Sequence, residues 1–155
     1  MSTILTRTLI FVALMVAGVL IYSIGYGVKA DRYDEVVVPY LDEAIPKITS
    51  WQFDQLDPLL SAPARIEFET EKGKNFYRLL STLGYFKSSG KPEFRGDGSE
   101  TIGSLGTVDS VTYQIPLEFS SGPAVMKINL LLVSNKILIH HFGIHSEIFT
   151  PQATD

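Results

Sequence analysis

The chain has 155 residues, 13 Lys and Arg against 17 Asp and Glu, and no cysteine. Disulfides, thiolate metal sites, a cysteine nucleophile and a lipidated N-terminal cysteine are thereby excluded. Only Arg7 and Lys29 lie within the first thirty residues, so 11 cations face 17 acids beyond them, a net of −6. These charges are scattered, and no basic stripe offers the several phosphate contacts that nucleic-acid binding needs.

Residues 4–27 form one apolar run, free of charge over LIFVALMVAGVLIYSI at 9–24. About 20 apolar residues match a bilayer's hydrocarbon thickness, so a transmembrane helix is expected over residues 1–30. Leu9, Ala13, Ala17, Gly18 and Tyr22 mark that span. Ala13 and Ala17 also form a small-xxx-small pair that would let another helix approach. Arg7 precedes the run and acids follow it, which favours an N-in, single-pass placement in an inner membrane. The domain, residues 31–155, would then face the periplasm. A cleaved signal peptide ending before Asp31 is the alternative, although the run exceeds the usual apolar core of such signals. Under either reading the domain is extracytoplasmic.

Val36, Val37, Tyr40, Leu41 and Ile45 recur at helical spacing. Pro39 and Pro46 are expected to kink or end that helix near residue 45. A second helix is expected from Ser50, a suitable N-cap, with Trp51, Leu56, Leu59 and Leu60 on its buried side. Ser61-Ala62-Pro63-Ala64 punctuates the chain. Residues 70–83 read as the clearest helix, with Phe76, Leu79, Leu80 and Leu83 toward the core and Gly84 at its end.

After Gly84 the period shifts from about 3.6 to 2. A short strand is expected over 85–88, with 91–95 continuing or pairing it. The Gly, Ser and Thr content of 96–106 reads as a loop. Three strands follow: Val111, Tyr113, Ile115 and Leu117 alternate with polar residues, then 124–133, then 137–144. Helices followed by an antiparallel meander give the α+β class, with a sheet of three to four strands. Lys127, Asn129, His141 and His145 fall on the face away from the helices.

The order of these elements resembles that of small NTF2-like (cystatin-like) domains over residues 33–149. Trp51-Gln52-Phe53-Asp54-Gln55-Leu56-Asp57-Pro58-Leu59-Leu60 is similar to their second-helix segment, and the stretches 111–119, 122–133 and 136–146 to their last three strands. The resemblance implies about three helices on a curved sheet around a cone-shaped pocket, in which some members catalyse proton transfer and others bind, dimerise or scaffold. No position-by-position match to a catalytic set is present.

Candidate chemistry follows from the histidines and the aromatics. His140 and His141 point to opposite faces of a strand and cannot share an ion. His141 and His145 share a face at a separation of about 13 Å, with Gly143 between them, so no metal site is expected. His140, flanked by Leu138 and Phe142, reads as a core-facing ring with a hydrogen-bonded neighbour. Asp109 or Glu118 with Tyr113 and His141 would have to converge for acid–base chemistry, and Tyr113 and Glu118 fall on opposite faces. The aromatics Trp51, Phe53, Phe76, Tyr85, Tyr113 and Phe142 would line a pocket or fill the core. Trp51, Tyr113, His141 and His145 are therefore the ligand-facing candidates, with no catalytic residue and no cofactor assigned. The functional expectation is a membrane-tethered binding or scaffold domain of an envelope complex, with a protein partner or a second copy. A small-molecule pocket protein is the alternative.

Overall fold

A computed structural model describes residues 2–103 and 106–149, with the side chains at 2–11, 14, 18 and 20–28 outside the described set. The chain divides into two compact units, Met1–Val36 and Val37–Asp155. Helix α1 is Ser2–Ile48, α2 Phe53–Leu56, α3 Ala62–Glu69 and α4 Glu71–Leu80. Strands β1 (Phe86–Ser89), β2 (Glu93–Ile102), β3 (Gly106–Phe119), β4 (Gly122–Val133) and β5 (Lys136–Ser146) form one antiparallel sheet.

Among the described residues, no helix is long and apolar enough to cross a membrane. This corrects the transmembrane anchor expected over residues 1–30. The single-pass inner-membrane placement, with its N-in orientation and periplasmic domain, is corrected with it. A span needs an unbroken apolar window, and from Lys29 onward, where the side chains of α1 are described without a break, recurring charges interrupt any such window. Toward its middle α1 instead carries Lys29, Asp31, Arg32, Asp34 and Glu35. Ala13 and Ala17 are exposed; the side chains of Leu9, Gly18 and Tyr22 lie outside the described residues.

Within the second unit, α1 buries Val37, Leu41, Ala44, Ile45 and Ile48, all at most 1 % exposed. Pro39 and Pro46 lie inside this helix and do not end it. Packing of that continuous apolar stripe outweighs the backbone hydrogen bonds the prolines cannot donate. The expected helix start at Ser50 is also corrected. Ser50 Oγ donates back to the Lys47 carbonyl at 2.7 Å, Trp51 takes a left-handed conformation with φ 59°, and α2 begins only at Phe53.

The sheet has five strands, correcting the expected three to four. The order is β1-β3-β4-β5, with β2 pairing the other half of β3. The stretch expected as a loop over 96–106 is mostly β2, in register from Glu93↔Gln114 to Ile102↔Gly106. Ladder pairing overrides the weak strand preference of Gly96, Gly98 and Ser99. Gly96 sits at a bulge with φ 156°, where a side chain would strain the backbone.

Register fixes the faces. Val111, Tyr113, Ile115 and Leu117 align with Leu130, Ile128, Met126 and Ala124, and all are buried. A one-residue slip would turn this whole set outward. Beyond β4, Phe142 and Ile144 on β5 complete the core face opposite Ile128 and Met126. The free edge of β5 is capped locally by a parallel bridge from Leu60 to Ile139 and by Ser61 N–H donating to the Ile139 carbonyl at 2.8 Å.

Candidate functional site

Helices α3 and α4 meet at a single residue, Thr70. Its hydroxyl accepts from the Gly73 amide at 3.0 Å and donates to the Glu67 carbonyl at 2.6 Å. It thereby caps the start of α4 and satisfies the end of α3. The turn brings the helices into backbone contact at Gly73, where a Cβ would lie 2.6 Å from Phe68 Cα. From the other end, Tyr77 Oη donates to the Ile48 carbonyl at 2.8 Å. These two contacts set the roll of α4, so that Gly73, Tyr77 and Leu80 face the core.

That roll differs from the expected one. Phe76 and Leu79 stand on the outer flank, 36 % and 52 % exposed. Phe76 meets Phe142 at 6.5 Å and Phe68 at 6.3 Å between ring centroids, while Phe68 stacks on Phe142 at 5.4 Å with 12° between planes. The three rings floor a groove of ≈ 140 Å³ lined also by Glu67, Lys72, Gly73 and His141. That volume is close to the roughly 150 Å³ that accommodates one benzene ring. Glu67, Lys72 and His141 supply the polar rim.

A second groove, of ≈ 250 Å³, is lined by Trp51, Phe53, Phe68, Lys74, Tyr77, Arg78 and Ser81. Trp51 is held from three sides. Its indole Nε1 donates to the Gly84 carbonyl at 2.7 Å, its ring stacks on Phe119 at 5.7 Å, and its edge meets Tyr77 at 5.8 Å. Burial, and secondarily the charge of Asp54, pushes the Tyr77 phenol up to about 12.

The four sequence candidates do not gather in one place. Trp51 lines the second groove and His141 the first. His145 lines a third depression with Pro123, Ala124, Val125, Ser146 and Glu147. Tyr113 is fully buried, edge-on to Phe94 at 5.7 Å. His141 aligns with Asn129 and His145 with Val125, on the face away from the core, with Gly143 between them opposite Lys127. Among the described residues, no three His, Asp or Glu side chains cluster as metal ligands.

His140 Nδ1 lies 3.2 Å from Ser61 Oγ, at the bulge where β5 slips against β4. Ser61 is 1 % exposed, and its hydroxyl also accepts from the Ala64 amide at 3.4 Å, so the pair fastens the start of α3 to the β5 edge. A hydroxyl so enclosed cannot reach a substrate. Asp109, Glu118, Tyr113 and His141 do not form a proton-transfer set, because the Tyr113 phenol is sealed in the core.

Glu67 and Phe68 escaped the sequence reading. The available signal was the one-residue break at Thr70 between two short helices, which requires close crossing and therefore brings residues on either side of it together. No family model matches the chain, and neither a curated protein nor a solved structure matches it.

Proposed function

We propose that Val37–Asp155 is a binding domain that takes an apolar side chain of a protein partner into the Phe68–Phe76–Phe142 groove. The observation that carries this reading is the half-exposed ring of Phe76, held beside two buried rings instead of being turned into the core. Anchor residues of interfaces characteristically fill small desolvated pockets of this kind, surrounded by a polar rim. Leu79, one turn along the same flank, extends the apolar surface beyond the groove.

Catalysis has less support, since the groups that would move a proton stand on different faces. An enclosed small-molecule pocket has less support too: Tyr113, Phe119 and Phe142 are 0–1 % exposed and pack against other rings. The NTF2-like resemblance supports a binding role through element order alone.

Panning a displayed peptide library against the full chain tests the proposal. Selected peptides should share an apolar anchor and lose about tenfold or more in affinity on Phe76→Ala, the scale of a small hot spot. Val125→Ala, at the third depression, should leave them unaffected. Equal binding by Phe76→Ala and the unaltered chain would reject the groove as the site.

A further inference from the structure

The second groove differs from the first in charge. Its floor is aromatic, from Trp51, Phe53, Phe68 and Tyr77, and its rim carries two exposed cations one turn apart on α4, Lys74 and Arg78. Arg78 donates to Asn75 Oδ1 at 2.7 Å and has no carboxylate partner among the described residues. Lys74 meets Glu71 at 3.5 Å in a pair whose side chains are 62 % and 86 % exposed. Such a pair contributes little and yields readily to a competing anion.

The placement of Trp51 is a second, independent observation. It occupies the left-handed position just past the end of α1, where a helix ordinarily places glycine. A bulky residue there stores backbone strain. Three contacts hold the ring in place, yet it remains only part-buried and lines the groove. A glycine would close the helix without strain and would leave the groove without its largest wall.

We infer that this groove recognises an acidic peptide, with an aromatic or aliphatic side chain against Trp51 and Phe53 and carboxylates over Lys74 and Arg78. Charge complementarity selects the partner: planar rings take the apolar group, and a guanidinium takes a carboxylate in paired hydrogen bonds. The inference does not depend on the Phe76 groove, with which this one shares Phe68 alone.

Trp51 is the sole tryptophan of the chain and reports occupancy by its own fluorescence. The full chain is titrated at low salt with acetyl-Asp-Glu-Phe-Asp-amide and with its neutral counterpart, acetyl-Asn-Gln-Phe-Asn-amide. The acidic peptide should give a saturable shift of Trp51 emission and bind about fivefold tighter than the neutral one. Lys74→Gln with Arg78→Gln should erase that difference. Lys87→Gln with Lys136→Gln removes equal charge elsewhere and should change affinity less than about twofold. Val125→Ala, at the third depression, should leave the titration unaltered. Acidic and neutral peptides binding alike, the remote pair acting as strongly as the groove pair, Val125→Ala abolishing the response, or no emission change at all would each overturn the inference.

Discussion

Gly73 on α4 and Phe68 on α3 approach so closely that a Cβ on the glycine would stand 2.6 Å from the Phe68 Cα. This contact fixes which side of α4 is buried, and so it decides that Phe76 faces Phe142 across a groove. Because Tyr77, on the buried side, is bonded to the end of α1, the roll is held at both ends of the helix.

Gly73→Ala tests that relationship directly. Helix propensity alone favours alanine by about 1 kcal/mol. The added methyl meets backbone of α3, which has no rotamer to escape into, and overpacking of this kind costs about 1–3 kcal/mol. The steric effect should win. Urea unfolding followed by circular dichroism should show a net loss of stability, and a more stable variant would show that the helices do not cross as closely as described.

Trp51→Phe keeps a ring against Phe119 and Tyr77 but removes the donor to the Gly84 carbonyl. That carbonyl then has no indole partner in a part-buried site, at a cost of about 1–2 kcal/mol. The measurement must use circular dichroism, because the variant has no tryptophan left to report. Unchanged stability would mean that stacking alone holds residue 51 in its left-handed conformation.

The alkaline limit of stability follows from two phenols. Burial pushes Tyr40 up to about 12, and burial with Asp54 does the same for Tyr77, from an ordinary value of 10. With the folded value above the unfolded one, the folded chain holds these protons more tightly. Their contribution is complete below pH 10 and is lost as pH rises from 10 toward 12. Urea midpoints should fall across that window, and Tyr77→Phe should flatten the fall. A pH-independent midpoint between 10 and 12 would contradict the burial of both hydroxyls.

Much of the sheet was legible in the sequence because alternation has one solution: Val111, Tyr113, Ile115 and Leu117 can be buried together in only one register. The roll of α4 was not. Phe76, Leu79, Leu80 and Leu83 make as good a stripe as Gly73, Tyr77 and Leu80, and only the α3 backbone at Phe68 chooses between them. Strand β2 was hidden because Gly96, Gly98 and Ser99 favour a loop until β3 supplies a ladder. Local pattern located His141 on an accessible strand face. The groove it borders depends on Phe68 and Phe76, whose meeting requires the helix crossing.

The most direct test of the binding role is a two-dimensional NMR titration of the isotope-labelled full chain with one peptide selected by display. The account predicts that shifts concentrate at Phe68, Lys72, Phe76, His141 and Phe142, and that Phe76→Ala removes them. Shifts centred on Val125 and His145 at the third depression, with the Phe76 ring silent, would contradict it.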